Sequence, residues 1–494
     1  MWSTSELAPF TTLDWAVCER YECYGAQVMR QTCLSHLSTE DRASYFRGLA
    51  PGSHVDHRGT AFDSTLLSQL LVAVGRHLKN ARFDAATFSG PADFSNVTFD
   101  GEASFHATGF HENVDFSKSK FGNTPQLGPL YCRTSVNLAG AVFQAPVTIK
   151  ISASQVRCIR THWESTATLR LRYALLDLED AVLDQPMAVS ASLLPFRGDE
   201  RTEAMTTFGS DPAPRQPKLL SIAGVDAAQL VITDLDLSQC MFTGAFHLDQ
   251  INFNGDNKFA EAPTGIVWNI GIPTRWTPRR MLAEEHYWRH DAASSPRARN
   301  PWRQNPTDLH VINNGPRHIA ASYRHLRKAL EDGKNEPDAA DFYYGEMEMR
   351  RHDNDRPRAE RVLINAYWAL SGYGLRASRA LGWLLIAMVL TIFMMMGWGL
   401  PQSAPQPDFT GTLSQGRIKL TTDTPDPVDP KGWPPQLTSD RWEKSLRVVV
   451  NSVIFRSSSD DLTTFGTYTE MASRIAEPVL LGLAVLAIRG RVKR

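Results

Sequence analysis

The sequence predicts a repeat protein whose chain turns a corner every five or six residues, joined to a helical region and to apolar segments that enter a membrane. Three observations predict this architecture: a regular series of phenylalanines in the first half, helical periodicity in the second half, and a long uncharged segment near the C-terminus. A chain of 494 residues exceeds what one hydrophobic core usually organises, so several structural units are expected.

The phenylalanine series has a period that neither a helix nor a long strand produces. Steps of five and six residues alternate along it, and a small or β-branched residue precedes each ring by two positions. Both residues are therefore expected to point inward at each corner. A β-sandwich is the alternative, but it would not generate so regular a series. The rings are Phe83, Phe88, Phe94, Phe99, Phe105, Phe110, Phe116 and Phe121.

This pattern resembles the pentapeptide-repeat family, in which a central Leu or Phe follows a small residue by two positions. The resemblance implies a right-handed quadrilateral β-helix with about four pentapeptides per coil. The six-residue steps depart from the family's strict five and predict small bulges at alternate corners. Looser repeats around Leu178 and Leu237 extend the predicted β-helix over residues 81–260, with a surface loop over 196–218.

Residues 1–80 are predicted to form a helical N-terminal cap. An uncovered end of the stack would invite edge pairing. Ser64–His77 has apolar residues at helical spacing and leads directly into Ala81, as a capping helix would.

The cysteines give no expectation of a metal site. They are widely spread and include no C-x-x-C pair. No neighbouring histidine at zinc-ligand spacing is expected for Cys18, Cys23 or Cys33. Buried, reduced thiols are expected, and no cofactor is predicted. The six are Cys18, Cys23, Cys33, Cys132, Cys158 and Cys240.

A helical connector is predicted over residues 261–379, containing a hairpin over 319–351 that is similar to a single tetratricopeptide-type unit. Glu284, Glu285 and His286 could indicate metal binding or acid–base chemistry. Adjacent residues do not share a helix face, however, so a solvated amphipathic helix is favoured.

The first membrane segment is predicted at residues 380–400, where Leu381–Leu400 contains no charged residue. Arginines outnumber acids between Arg350 and Arg379, which places the N-terminal part in the cytoplasm and a Pro-rich loop, residues 401–445, outside. The N-terminus lacks the pattern of a secretory signal, which agrees with this orientation.

A second crossing is predicted within residues 446–494, because the chain ends in another basic cluster. The apolar stretch between Arg474 and Arg489 is short for a bilayer, so a re-entrant or interfacial segment is the alternative. Glu477 is expected to face a neighbouring subunit or water. The residues expected to meet anionic headgroups are Arg489, Arg491, Lys493 and Arg494.

This C-terminal region resembles the pore module of two-transmembrane ion channels, with Leu446–Phe455 as the pore helix. The family's filter reads T-x-G-Y-G; this sequence keeps Thr464 and Gly466 but lacks the second glycine, which leaves potassium selection in doubt. The residues predicted to line a pore are Thr463, Thr464, Phe465, Gly466, Thr467 and Tyr468.

Taken whole, the layout resembles pentapeptide-repeat membrane proteins of actinobacteria, on the evidence of the repeats, the ALEDGKNEPDAADFYYGEMEMRR segment, SGYG before the first apolar segment and the LLGLAVLAIRGRVKR ending. The resemblance implies a multi-pass protein of the bacterial inner membrane with both termini in the cytoplasm. Such proteins are sometimes labelled membrane-associated oxidoreductases, but the sequence contains no P-loop, G-x-S-x-G, H-E-x-x-H or G-x-G-x-x-G motif.

Three functions are therefore weighed. The first is a non-enzymatic scaffold that binds a cytoplasmic protein and is anchored in the lipid bilayer. The second is a channel-like pore gated by the β-helix, and the third is an enzyme. A homo-oligomer is possible, and the net charge of −1 gives no reason to expect nucleic acid.

Overall fold

The computed structural model forms two compact units, Met1–Asp353 and Asn354–Arg494. The residues that it describes are 13–196, 216–269, 272–276, 278–292, 302–304, 315–401, 408–414, 417–423, 438–454 and 462–492.

The first unit is built on a β-solenoid of about eight turns, which confirms the predicted fold class. Parallel pairing fixes the length of each coil. Lys120 pairs with Thr98 and with Val142, 22 residues away in each direction. The next pairing joins Val142 to His162, so the coil shortens there to 20 residues. A 22-residue coil is the sum of the alternating five- and six-residue steps between phenylalanines.

Sheets cover three faces of the solenoid. The first face contains Ser53–Asp56, His77–Arg82, Thr98–Phe99, Ala103–Ser104, Lys120–Phe121, Val142–Phe143, His162–Trp163 and Val182–Leu183. The second face contains Ala61–Phe62, Thr87–Phe88, Thr108–Phe110, Gln126–Cys132, Val147–Ser152, Ala167–Arg172, Met187–Ala191, Leu230–Thr233 and Asn252–Asn254. The third face contains Ala92–Asp93, Val114–Asp115, Ser135–Asn137, Gln155–Arg157, Leu175–Asp177 and Lys218–Ser221.

Aromatic rings fill the interior and stack from coil to coil. In one column the centroids of Phe99 and Phe121 lie 5.1 Å apart, those of Phe121 and Phe143 4.7 Å apart, and those of Phe143 and Trp163 4.4 Å apart. The planes of these rings are nearly parallel, as the identical register of successive coils requires. All four side chains are buried. These side chains therefore fill the interior of the solenoid and form its core.

Corners of two kinds alternate along the first coils. Each five-residue step contains a residue in the left-handed conformation: Ala85, Asn96, Ala107 and Lys118, with φ of 54 or 55°. Two of the three six-residue steps turn through segments that contain Gly90 and Gly101, and the third, residues 110–116, contains no glycine. The extra residue of the sequence pattern is therefore accommodated at every second corner, as expected.

The solenoid begins earlier than the phenylalanine spacing indicated. Ser53–Asp56 already pairs with the strand that contains Ala81, and Ala61–Phe62 pairs with Thr87–Phe88. A helix, Ser64–Ala73, lies within this first coil rather than before the stack. The phenylalanine spacing did not indicate this first coil because it contributes a single buried phenylalanine, Phe62, rather than a series.

Among its described residues, the first unit has five helices. They are α1 (Thr39–Arg47), α2 (Ser64–Ala73), α3 (Ala283–Ala292), α4 (Pro316–Asp332) and α5 (Glu336–His352), beside 3-10 turns at Leu34–His36 and Ala227–Gln229. Short antiparallel pairs join Ala260–Glu261 to Arg280–Met281 and Gly265–Asn269 to Ile272–Trp276. Helices α4 and α5 form the hairpin expected over residues 319–351. Most of the loop expected over 196–218, residues 197–215, lies outside the described residues.

Four further helices lie in the part of the second unit that the structure describes. They are α6 (Arg358–Ser371), α7 (Ala377–Met394, continued by a π turn at Met395–Gly399), α8 (Ser439–Val453) and α9 (Thr464–Val492). A hairpin pairs Asp408–Ser414 with Arg417–Asp423 in the expected Pro-rich loop, whose remaining residues are largely outside the description. Gly372, with φ of +55°, ends α6 in the left-handed conformation.

Two of these helices are long and apolar enough to cross a bilayer. Ala377–Gly399 spans 23 residues with a mean hydropathy of 2.2, and Thr464–Arg489 spans 26 residues with a mean hydropathy of 1.7. The expectation of a short second segment is wrong, because α9 starts ten residues before Arg474 and continues through Pro478. Arg474, which limited the apolar stretch in the sequence, forms an ion pair with Glu470 at 2.8 Å. The pair lowers the cost of including both charged residues in the helix.

Candidate functional site

The segment predicted to form a channel filter is helical. Thr464 to Tyr468 form the first residues of α9, so they lack the extended loop conformation that the filter interpretation requires. Thr463 lies just before the helix and caps it: its Oγ1 accepts from the backbone N–H of Gly466 at 3.1 Å. The same hydroxyl donates to the carbonyl of Trp398 at 2.6 Å. Thr463 thus joins the end of one apolar helix to the start of the other.

Gly466 is a point of close helix packing. A Cβ at Gly466 would lie 2.3 Å from the carbonyl oxygen of Gly399, and a Cβ at Gly399 would lie 3.2 Å from the Cα of Gly466. Glycine is therefore required at both positions for the two backbones to approach. Phe465 and Tyr468 point outward and are exposed. Thr463 and Gly466 therefore form a junction between two helices of one chain, whereas the other four residues predicted to line a pore are exposed on the first turns of α9.

Glu477 lies between helices of its own chain, whereas the sequence led us to expect it at a surface that faces a neighbouring subunit or water. Its side chain is fully buried. One carboxylate oxygen accepts from Thr391 of α7 at 3.1 Å, and the other accepts from Ser452 of α8. The carboxylate therefore connects all three apolar helices of the second unit, which satisfies its hydrogen-bonding needs in an apolar surrounding.

The basic tail is only partly described. Arg489 is exposed near the end of α9, and Arg491 lies within the last turn of that helix. Lys493 and Arg494 lie outside the described residues.

The connector acids are buried, so the expectation of a solvated helix at α3 is wrong. Glu284, Glu285 and His286 are 3%, 0% and 2% exposed. As the helix geometry predicted, neighbouring residues point in different directions. Glu284 accepts from the backbone N–H groups of Phe242 at 2.6 Å and Thr243 at 3.0 Å, at a corner near the end of the solenoid. Glu284 therefore attaches α3 to the last coils.

Glu285 is the centre of a buried ionic network. Its carboxylate accepts from Arg279 at 2.5 Å, Arg289 at 2.7 Å and the Tyr323 hydroxyl at 2.6 Å. Arg289 continues to Glu348 on α5 at 2.9 Å. Burial alone would raise the pKa of Glu285, but the two arginines dominate and lower the pKa to about 2. The network joins α3 to both helices of the α4–α5 hairpin.

A cleft of about 540 Å³ separates the end of the solenoid from the α4–α5 hairpin. Asp249 and Asp256 line one side, and Lys328, Asp332 and Asp338 line the other. The Lys328 ammonium lies 2.8 Å from the Asp249 carboxylate and bridges the two sides. The cleft is thus a polar, ion-paired junction between two elements of the first unit.

Three cysteines and a histidine meet in the N-terminal segment. The Sγ atoms of Cys23 and Cys33 lie 3.6 Å apart, and the Nδ1 atom of His36 lies 3.4 Å from Cys33 Sγ and 3.6 Å from Cys18 Sγ. All four atoms fall within 4.8 Å of one another. The hydrogen bond with Cys23 lowers the pKa of the Cys33 thiol to about 4, although burial opposes it. We call these four residues the cysteine cluster.

The expectation that no histidine lies near these cysteines is wrong. His36 follows Cys33 by three residues, a C-x-x-H spacing that the sequence analysis did not assign. The 3-10 turn Leu34–His36 brings the imidazole back over the sulfur of Cys33. A search for mixed Cys and His spacings, rather than for C-x-x-C pairs, would have found it.

Comparison with known proteins agrees with the solenoid. A family model described as Pentapeptide repeats (9 copies) matches residues 77–124. No curated protein and no solved structure matches the chain. The matched residues cover the coils with the clean phenylalanine series, so this part of the chain carries pentapeptide repeats.

Proposed function

We propose that this chain is a membrane-anchored scaffold: the solenoid presents a rigid surface to a cytoplasmic protein, and the second unit holds it on the bilayer without catalysing a reaction. The exposed apolar surface of the second unit is the observation that carries the proposal. Large apolar side chains are exposed along α7, α8 and α9, among them Leu385 at 65%, Ile475 at 70% and Ile454 at 61%. A contiguous apolar surface of this kind requires lipid or a protein partner.

The membrane arrangement follows from lengths and charges. Both apolar helices exceed the roughly 20 residues that a bilayer requires. The arginines that precede α7 favour a cytoplasmic position for the residues before it, and the basic tail favours the same side for the C-terminus. We therefore place the segment between α7 and α8 outside.

Fractionation of cells that express the full chain tests the anchor. Two outward residues near the middle of α7, Leu385 and Val389, are replaced by Arg. Each arginine at a helix centre opposes insertion by about 2.5–3.5 kcal/mol, so the double variant should leave the carbonate-resistant membrane fraction. The matched control is Val72→Arg, which changes an exposed apolar residue of α2 in the solenoid unit and should stay in the membrane. Equal membrane retention of the double variant would contradict the anchor.

Reporter fusions test the orientation. Alkaline phosphatase joined after Arg494 should be inactive, whereas phosphatase inserted within residues 424–437 should be active, because this enzyme folds only outside the cytoplasm. The reverse pattern would place the solenoid outside and remove a cytoplasmic protein as its partner.

The second face of the solenoid is the proposed binding surface. Its middle strands are up to seven residues long, whereas many strands on the first face have two. Lys150 lies directly beside Arg170 in the parallel register. Like charges in this position disfavour each other, so an acidic segment of a partner would relieve the repulsion.

Site-specific photo-crosslinking in intact cells tests this face. A photoreactive residue at Thr168 should give a discrete protein adduct, and Arg170→Glu should reduce its yield. Lys120→Glu, a matched charge change on the first face, should leave the yield unchanged. Adducts of equal yield with all three chains, or none, would contradict the proposal.

A further inference from the structure

The cysteine cluster carries an inference that does not depend on the membrane proposal. We propose that Cys18, Cys23, Cys33 and His36 bind one zinc ion, at a structural site that fixes the N-terminal segment on the first coil of the solenoid. Four protein ligands leave no open coordination position for a substrate, which is the arrangement of structural rather than catalytic zinc.

The distances fit a single tetrahedral ion. With Zn–S bonds of about 2.3 Å and Zn–N bonds of about 2.0–2.1 Å, a tetrahedral centre holds its ligand atoms about 3.5–3.8 Å apart. The Sγ atoms of Cys23 and Cys33 are 3.6 Å apart. The Nδ1 atom of His36 is 3.4 Å from Cys33 Sγ and 3.6 Å from Cys18 Sγ. Three of the six separations between ligand atoms therefore match those of a tetrahedral zinc site, and the other three do not exceed 4.8 Å. A disulfide between Cys23 and Cys33 would need about 2.05 Å and would use only two of the four residues.

The donor set selects the metal. Thiolates and imidazole are soft or borderline ligands that favour zinc, whereas magnesium and calcium require oxygen. The backbone N–H of Gly25 is directed at the sulfur of Cys23, and that of His36 at the sulfur of Cys33. Such hydrogen bonds stabilise thiolate charge and orient the ligands around a metal. Ser35 Oγ lies 3.2 Å from Cys33 Sγ and adds a further contact.

The N-terminal segment needs such a link because it contains little regular structure. Within residues 13–37, the secondary structure consists of two isolated antiparallel bridges and one 3-10 turn. Short segments with small cores are usually stabilised by metals or disulfides. The cluster closes two loops, one between Cys18 and Cys23 and a second that reaches Cys33 and His36. Zinc would therefore convert several weak turns into one rigid element.

The same segment contacts the solenoid beside the cluster. A Cβ at Gly25 would lie 2.7 Å from Cβ of Cys33 and 3.2 Å from the hydroxyl of Thr60 in the first coil. The backbone N–H of Ala26 donates to the carbonyl of Arg58 at 2.7 Å. The cluster is thus held against the first coil, where an ordered segment covers otherwise open strand edges.

Metal analysis of the full chain, purified in detergent without chelator, is the first test. One equivalent of zinc per chain is expected. After exchange with cobalt(II) alone, the protein should show visible bands of tetrahedral cobalt and a near-ultraviolet band of thiolate-to-cobalt charge transfer. The absence of zinc, together with three cluster thiols that react freely with Ellman's reagent or a Cys23–Cys33 disulfide found by mass spectrometry, would overturn the proposal.

Variants of His36 identify the ligands without disturbing the core, because this side chain is exposed. His36→Ala should lower the zinc content from about one to below about one tenth of an equivalent in the presence of a competing chelator. His36→Cys should restore it, since four thiolates also form a tetrahedral site. His54→Ala, which removes another exposed histidine, is the matched control and should retain zinc. Equal zinc content in all three variants would refute the assignment of His36.

Discussion

Replacing Glu285 by Gln removes the charge at the centre of the buried network and preserves the volume of the side chain. Glu285 is 0% exposed and accepts from Arg279, Arg289 and Tyr323. The variant keeps an oxygen for Tyr323 but leaves the two buried guanidinium groups with one carboxylate fewer. We expect the α4–α5 hairpin to open more readily from the end of the solenoid.

The expected loss of stability in the Glu285→Gln variant can be calculated in two ways. The pKa of Glu285 falls from 4.5 to about 2, and each unit corresponds to about 1.36 kcal/mol, so the charged form contributes roughly 3 kcal/mol. Removing one partner of a buried ion pair typically costs about 3–5 kcal/mol. Because the folded pKa is the lower one, this contribution is present above about pH 4.5 and is lost as the pH falls towards 2.

Hydrogen–deuterium exchange of the full chain in detergent measures the effect. A loss of about 3 kcal/mol predicts roughly 100-fold faster amide exchange in α4 and α5 at neutral pH, with exchange in the coils around Phe105 unchanged. Glu331→Gln, at a half-exposed acid of α4, is the matched control and should exchange as the native protein does. Exchange within about threefold of the native rate in Glu285→Gln would refute the reasoning, because it would show that desolvation of the charges cancels their attraction.

Three further predictions concern the helix junction, the aromatic stack and acid stability. Gly466→Leu should separate α7 from α9 and lower the melting temperature in detergent, whereas Gly482→Leu, with open space at its Cβ, should not. Phe116→Ala should lower the free energy of unfolding by about 3–5 kcal/mol, measured by urea denaturation, because it leaves a cavity between stacked rings. Burial lowers the pKa of His57 to about 4, below its ordinary 6.5, so stability should fall as the pH decreases from 6.5 to 4, and His57→Gln should reduce that slope of the urea midpoint against pH.

The solenoid could be predicted from the sequence because the same short sequence pattern recurs in each coil. A ring placed every five or six residues specifies both the corner and the inward direction, and the neighbouring coil repeats it in register. The start of the stack was harder to predict, since Val55 and Phe62 occupy inward positions without a series around them. The family match over residues 77–124 covers the same clean region.

The buried acids could not be predicted in this way. Helical periodicity indicates which residues share one face of α3, but not that the solenoid end covers Glu284 while the α4–α5 hairpin covers Glu285. Similarly, a glycine and a threonine near Phe465 resemble a filter in sequence, while in the structure Gly466 and Thr463 make the contacts between two helices. These distinctions depend on partners that are distant in the chain, 64 residues or more for Thr463.

The stacked coils set the distance between the two ends of the first unit. Each coil rises by the spacing between neighbouring strands, about 4.8 Å, so about eight turns hold the cysteine cluster and the α4–α5 hairpin roughly 34 Å apart. Because the strands of neighbouring coils are hydrogen-bonded in parallel sheets, this distance resists compression. Duplication or loss of one 20-residue coil would move one end by about 5 Å relative to the other and leave the chemistry of both ends intact.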